Sequence, residues 1–118
     1  MEKAPGQPRI RIFCGDDIAF GPGKAELLTL LGETGSINQA AKRMGMSYMK
    51  AWQMICTMNR TYSQPLVSTG RGGAGGGGSE LTEFGREVLA LYREMEAASR
   101  TAVEEPWQRM QRLLMRGK

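Results

Sequence analysis

Residues 36–62 read SINQAAKRMGMSYMKAWQMICTMNRTY, and this stretch decides the fold. Ser36 as N-cap with Gln39 three residues later forms a capping box, which predicts the start of a helix. Apolar residues follow at helical spacing until Gly45, which suits a left-handed C-cap. Ser47 then caps a second helix that continues to the end of the stretch. Two helices joined by a short glycine-containing turn predict a helix-turn-helix.

The second of these helices has one apolar stripe that we expect to face the core, made of Ala51, Ile55, Met58 and Tyr62, with Trp52 and Met54 packing beside it. In a helix-turn-helix, the N-terminal residues of this helix meet base edges in the major groove. Gln pairs with adenine, Lys reaches guanine acceptors, and Tyr or Met packs on a thymine methyl group. We therefore predict base contacts from Tyr48, Met49, Lys50 and Gln53.

The segment before the helix-turn-helix is predicted to form a small β-hairpin and one more helix. Residues 9–13 alternate charged and apolar side chains, residues 15–17 have turn chemistry, and residues 18–20 are apolar. A helical pattern then follows Pro22 and ends at Gly35.

Two short extended segments, residues 66–69 and 79–82, enclose a glycine-rich tip, residues 70–78, in which seven of nine residues are Gly. Such a tip has almost no side chains to bury, which indicates a loop that contacts a ligand through its backbone. The spacing Gly-x-Gly-x-x-Gly within it also matches the dinucleotide fingerprint, but the βαβ unit that this fingerprint needs is missing. The pattern therefore favours the wing of a winged helix.

After Leu81, apolar residues recur at alternating intervals of three and four, which is the seam of a coiled coil. A small domain leaves one flank of so long a seam uncovered, so we expect a second copy of the chain to cover it. The predicted homodimer contact consists of Phe84, Val88, Leu91, Met95, Ala98 and Ala102. We expect Pro106 to stop this helix and a short final helix to follow. The predicted division is residues 1–82 for the winged helix-turn-helix domain and 83–118 for the dimerisation helix with the short final helix.

The charge distribution points to a polyanion. The 118 residues carry a net charge of +4, and no acidic residue lies between Glu33 and Glu80. Each acid there would repel phosphate, so this stretch suits double-stranded DNA, although a solvated basic face explains the charge alone equally well. The predicted phosphate contacts are Ser36, Lys42, Arg43, Ser47, Arg60 and Arg71.

The composition excludes several other classes of protein. The chain has no His and two Cys, so we expect no catalytic residues, no metal site and no cofactor. Cys14 and Cys56 stand among apolar residues, which predicts two reduced, buried thiols. No segment is apolar enough to span a membrane, so we expect a cytoplasmic protein.

The combined motifs resemble one known family. Residues 35–52 contain Gly-Ser-Ile, Ala-Ala and Gly-Met-Ser-Tyr-x-x-Ala-Trp, and Asn59, the glycine-rich run, Leu81-Thr82 and Gly85 follow. This pattern is similar to the DNA-binding domain of the molybdate-responsive transcriptional regulators, the ModE family, which is related to LysR-type winged helices. The resemblance covers residues 21–105. It implies a homodimeric regulator that binds a partly palindromic operator and dimerises through the long helix.

Two departures from the family matter. The family's wing commonly has a basic residue where this chain has Ala74, which weakens one expected phosphate contact. An alternative function therefore remains, a winged-helix module that binds protein without specific DNA binding. The family's molybdate-binding barrels are expected to be missing after Pro106. Ordering the glycine tip around a small anion costs about 1 to 2 kcal/mol per residue, so we do not expect molybdate to bind this chain directly.

Overall fold

The computed structural model describes residues 7–70 and 78–114. Its elements are β1 (Ile12–Cys14), β2 (Asp17–Phe20), α1 (Pro22–Thr34), α2 (Ile37–Met44), α3 (Tyr48–Thr61), β3 (Val67–Thr69), β4 (Ser79–Leu81) and α4 (Glu83–Leu113). The strands form two antiparallel pairs, β1 with β2 and β3 with β4. This is the predicted mainly helical, winged helix-turn-helix fold with an N-terminal hairpin and a long C-terminal helix. The tip of the wing, residues 71–77, lies outside the described residues.

The helix-turn-helix forms where its caps predict it. Ser36 Oγ accepts a hydrogen bond from the backbone N–H of Gln39 at 3.0 Å and starts α2. The other half of the predicted capping box is made differently, because the N–H of Ser36 donates to the hydroxyl of Thr34 at 3.2 Å. At the end of α2, Gly45 has φ +70° and donates its N–H back into the helix. A side chain is strained at this φ, which explains the glycine.

One hydrophobic core joins α1, α2 and α3 to both hairpins and to the first turns of α4. Its largest members are almost fully buried, among them Phe20, Leu28, Ile55, Leu66 and Tyr92. Burying each such side chain contributes about 1.5 to 3 kcal/mol to the stability of the fold. The rings of Phe20 and Tyr92 meet edge to face with centroids 5.0 Å apart, so α4 is held against the N-terminal hairpin.

The prediction that Pro106 stops the long helix is wrong, because α4 continues through it to Leu113 without a separate final helix. Proline removes one backbone hydrogen bond and crowds the preceding turn. Pro106 is exposed, so water can reach the carbonyl that loses its partner. Past the proline, Trp107 is partly buried and lines a cleft together with the N-terminal residues 7–10.

The cysteines differ from the prediction as well. Cys14 is exposed at the end of β1, and Cys56 is only partly buried in α3. Cys14 pairs with Asp17 beside the hairpin turn, and Ile12, two residues earlier on the same face, is the residue that packs against the core. Phe13 points to the opposite face and is itself 64% exposed, so the apolar neighbours in sequence do not bury the thiol.

Across residues 7–70 and 78–114, no group of three or more His, Cys, Asp or Glu side chains is placed to hold a metal ion. Within the same ranges, every helix is too short or too polar to cross a membrane.

Candidate nucleic-acid interface

The first two turns of α3 present an exposed surface that the sequence assigns to base contacts. Ser47 Oγ caps the helix by accepting the N–H of Lys50 at 3.0 Å. All of the predicted base contacts are exposed, and they are Tyr48, Met49, Lys50 and Gln53. The core stripe of the same helix is turned away from them, with Ala51, Ile55 and Met58 at most 1% exposed. The structure therefore brings the four predicted base contacts to one free surface.

Tyr48 is held in place by a second aromatic ring. It stacks on Trp52 with ring centroids 6.4 Å apart and an angle of 7° between the planes. Trp52 is partly buried and packs against the core, which confirms its predicted packing role. Because its neighbour is fixed, Tyr48 loses little further freedom when its exposed face meets a ligand.

The two serines predicted as phosphate contacts are both helix N-caps. Ser36 stands at the start of α2 and Ser47 at the start of α3, and each hydroxyl oxygen accepts a backbone N–H. An N-capping serine still has its hydroxyl hydrogen to donate. The positive end of each helix dipole adds to the attraction for an anion.

Two predicted phosphate contacts are engaged with carboxylates from outside the acid-free stretch. Arg43 lies 3.3 Å from Glu33 in α1, and Arg60 lies 3.3 Å from Asp17 in β2. The two arginine side chains remain more than half exposed, so a phosphate can still reach them. Lys42 and Lys50 have no ion-pair partner within residues 7–70 and 78–114. Arg71 lies outside the described residues.

The base of the wing is closed by one hydrogen bond between its own two strands and tied to the helix-turn-helix by another. Gly70 donates its N–H to the carbonyl of Gly78 at 2.6 Å and so extends the pairing of β3 with β4 beyond the strands. Ser79 donates its N–H to the carbonyl of Gly35, at the junction of α1 and α2, at 3.0 Å. The wing therefore emerges at a fixed position beside the N-terminus of α2.

The stretch that holds this surface matches a known family. Residues 24–86, from α1 to the first turn of α4, match the model of bacterial regulatory helix-turn-helix proteins of the lysR family. The chain belongs to the lysR family. The match confirms the predicted helix-turn-helix class of this domain.

Several curated relatives of this lysR-family chain carry names linked to molybdenum. The "Molybdenum transport protein ModE" of Azotobacter vinelandii is 39% identical over 92 residues, which are 78% of this chain and 34% of the relative. The "DNA-binding transcriptional dual regulator ModE" of Escherichia coli K12 is 42% identical over 71 residues, 60% of this chain and 27% of the relative. These similarities confirm the resemblance to the ModE DNA-binding domain. The chain spans about a third of the length of these relatives.

A solved structure supports the same fold. ArgP from Mycobacterium tuberculosis superimposes with a TM-score of 0.53 at 21% identity, covering 71% of this chain and 30% of that protein. At this level of identity the similarity concerns the fold alone, and it agrees with the LysR-type winged helix described above.

Lys24 is a residue of this lysR-family domain that the sequence prediction missed. It is partly buried at the start of α1, and burial, followed by repulsion from Lys50, lowers its pKa, while the Asp17 carboxylate opposes the shift. The fold thus places a second lysine near the base-contact surface. The sequence offers no signal for this, because nothing local shows that α1 starts beside α3.

The predicted dimer contact divides into two parts in the structure. Phe84 and Val88 pack against the chain's own core, and the ring of Phe84 meets Tyr62 with centroids 6.4 Å apart. Further along α4, Leu91 is 52% exposed and Met95 is 42% exposed. Ala98 and Ala102 are exposed too. The last four of the six predicted contact residues therefore remain uncovered in the single chain.

Proposed function

We propose that this chain binds double-stranded DNA as a homodimer in the cytoplasm, at a partly palindromic operator, and regulates transcription without catalysing a reaction. The observation that carries the proposal is the exposed N-terminal half of α3, where Lys50 has no carboxylate partner among the described residues and Ser47 caps the helix. A helix of this kind fits the major groove with its first residues toward the bases.

Within that complex, we assign sequence recognition to the surface of α3. Lys50 and Gln53 have the donors and acceptors for base edges, and exposed Tyr48 and Met49 suit the thymine methyl group. The stacked position of Tyr48 on Trp52 supports a fixed apolar contact, rather than one that must be ordered on binding.

The phosphate contacts form the surrounding rim. We assign direct contacts to Ser36, Lys42 and Ser47, which are exposed or cap a helix, and we add Lys24 because the start of α1 lies beside α3, where Gly23 neighbours Met54. Arg43 and Arg60 contribute to phosphate binding when a phosphate replaces their carboxylate partners. Arg71 is included as a phosphate contact on the basis of the sequence alone. Such contacts fix position and supply most of the salt-dependent affinity without specifying sequence.

The homodimer is proposed to form along the uncovered part of α4, with residues 83–118 serving dimerisation and residues 1–82 serving DNA binding. Exposed Leu91 and Met95, with Ala98 and Ala102, continue a seam spaced by three and four residues. Ala at two of these positions allows close approach of a second helix. Val88 and Phe84 support the seam from within the chain rather than facing the second copy.

The test is the salt dependence of binding to a random duplex, measured by fluorescence anisotropy. We expect the logarithm of the association constant to fall linearly with the logarithm of salt concentration, with a slope of about −0.9 for each neutralised phosphate. Lys24→Gln and Lys42→Gln should each flatten the slope by about one. No binding even at low salt would overturn the proposal and favour a winged-helix module that binds protein.

For the effector, we propose that the regulated process involves molybdenum but that molybdate does not bind this chain directly. The names of the relatives support the first part. The entropy cost of ordering the glycine-rich segment around a small dianion supports the second. Titration calorimetry with molybdate, with sulfate as the control, should show no binding tighter than millimolar. Saturable binding at micromolar molybdate but not sulfate would contradict this.

A further inference from the structure

Asn59, in the last turns of α3, holds the chain that leads into the wing. Its side-chain oxygen accepts the N–H of Leu66 at 2.8 Å and the N–H of Val67 at 3.3 Å, and its amide nitrogen donates to the carbonyl of Val67 at 3.1 Å. Three hydrogen bonds from one partly buried side chain therefore join the recognition helix to the start of β3.

The chain around Leu66 is also held by the residues at the start of α4. The carbonyl of Leu66 accepts the N–H of Thr82 at 2.9 Å, and the hydroxyl of Thr82 donates to the carbonyl of Pro65 at 2.8 Å. That hydroxyl oxygen also caps α4 by accepting the N–H of Gly85 at 2.8 Å. Gly85 lies so close that a Cβ there would overlap with the carbonyl of Leu66.

Leu66 is thus a single residue held by two helices. Its side chain is fully buried, so it cannot slide along the core without opening a cavity. Apolar packing alone is non-directional, whereas hydrogen bonds fix orientation through their geometry. The bonds through Leu66 therefore add a directional constraint on the angle of α3 relative to α4 to the constraint from the shared core.

We propose that Asn59 is a positioning residue for operator recognition, which acts through Leu66 and Thr82 to fix the angle between the recognition helix and the dimerisation helix. The inference rests on the proposed function, a dimer joined along α4. In such a dimer, the angle of each α3 to its own α4 sets the distance and rotation between the two recognition helices. Asn59 then selects the spacing between half-sites without touching a base.

The readout is preference for spacing rather than affinity alone. One base pair of extra spacing moves a half-site by about 3.4 Å and rotates it by about 35°, since a helical turn holds about 10 to 10.5 base pairs. We expect the wild-type chain to prefer its best spacing over a spacing one base pair longer or shorter by about tenfold or more. Loss of stability alone lowers the active concentration and weakens all spacings equally, so the ratio separates positioning from folding.

The experiment compares the wild type with Asn59→Ala, Asn59→Asp and Gln64→Ala on the selected inverted repeat at three spacings and on a single half-site. Asn59→Ala should reduce the preference to about threefold or less. Asn59→Asp keeps the acceptor for Leu66 and Val67 and should retain an intermediate preference. Gln64→Ala, which changes an exposed amide in the connection between α3 and β3, should behave like the wild type.

A second pair of variants covers the case in which Asn59→Ala does not fold. Thr82→Val removes the hydroxyl and should flatten the preference for spacing, whereas Thr82→Ser keeps the hydroxyl and should restore it. Unchanged preference in Asn59→Ala or Thr82→Val, or a wild type indifferent to spacing, would overturn this inference while leaving DNA binding established. A wild type that binds no duplex would instead overturn the proposed function.

Discussion

The guanidinium of Arg60, near the end of α3, lies 3.3 Å from the carboxylate of Asp17 in the N-terminal hairpin. Both side chains are about half exposed, so the pair contributes at most about 1 kcal/mol to stability. In the proposed complex its larger effect is on charge, because a phosphate would have to compete with Asp17 for this arginine. We therefore expect the hairpin to lower the affinity of the recognition helix for DNA at this point.

Asp17→Asn should strengthen DNA binding. The change releases Arg60, and one more phosphate contact of about 1 kcal/mol corresponds to about a fivefold lower Kd at low salt. The plot of log association constant against log salt should also become steeper by about 0.9. Anisotropy titrations at four salt concentrations measure both quantities.

Asp16→Asn is the matched control, since this neighbouring acid is exposed and has no ion-pair partner within the described ranges. It removes the same negative charge without releasing Arg60. An equal gain in affinity from both variants would show that general repulsion, rather than release of the arginine, explains the effect.

Lys50→Ala and Gln53→Ala should each cost about 1 to 3 kcal/mol on the preferred site and relax the choice of base. Both side chains lie on the exposed surface of α3 rather than against the core. The measurement is the ratio of affinities for the preferred site and random DNA. Gln108→Ala, an exposed glutamine in α4, serves as the control. An unchanged ratio in Lys50→Ala and Gln53→Ala would contradict the assignment of this surface to bases.

Leu91→Lys combined with Met95→Lys should convert the dimer to a monomer, because two charges would be buried at the seam. Both residues are exposed in the single chain, so the monomer should stay folded. Light scattering at tens of micromolar measures the mass. The operator affinity should fall sharply, since each half-site is then bound alone.

The control for that variant is Ala90→Lys combined with Ala97→Lys, which places two charges on another, exposed face of α4. This chain should remain dimeric. A wild type that is monomeric at tens of micromolar, or a control that dissociates as readily as the seam variant, would count against the proposed interface.

Tyr92→Phe should lower stability by about 1 kcal/mol at neutral pH, because the carbonyl of Ile10 loses the hydroxyl that donates to it at 2.7 Å. Burial, reinforced by the Glu96 carboxylate, raises the pKa of Tyr92 above 10.0. A raised pKa in the folded state stabilises the fold at pH values below 10.0, and this contribution is lost as pH rises through the folded pKa.

Chemical denaturation at neutral pH and above pH 10 tests whether stability falls as pH rises. The wild type should lose stability over the alkaline range, and Tyr92→Phe should lose less. Tyr48→Phe removes a hydroxyl from an exposed ring and should leave the stability at neutral pH and the alkaline loss of stability unchanged. An alkaline loss of the same size in Tyr92→Phe would show that other groups cause it.

The local elements of this fold were predictable because their signals lie within a few residues of each other. Ser36 and Ser47 accept the N–H groups of residues three positions later, and Gly45 adopts the left-handed conformation. Helical spacing also separated the core stripe of α3 from the surface that we assign to bases. These features depend on residues close together in the chain, so they can be predicted from the sequence.

The tertiary partnerships could not be predicted in the same way. The stretch without acids is not isolated in space, because Asp17 and Glu33 come from outside it to meet Arg60 and Arg43. Proline disfavours a continuous helix, but α4 continues through Pro106, which is exposed to water and precedes a tryptophan that lines a cleft with the N-terminal residues 7–10. Such outcomes depend on which elements become neighbours, and no local pattern contains that information.

The most direct test of the account is selection of binding sites from a random pool of duplex DNA with the wild-type chain. We expect enrichment of an inverted repeat whose half-sites are centred about one helical turn, about 10 to 10.5 base pairs, or a multiple of it, apart. The half-sites should change when Lys50 or Gln53 is replaced. Recovery of a pool with no enriched sequence, or of a single half-site without a repeat, would contradict specific binding as a dimer.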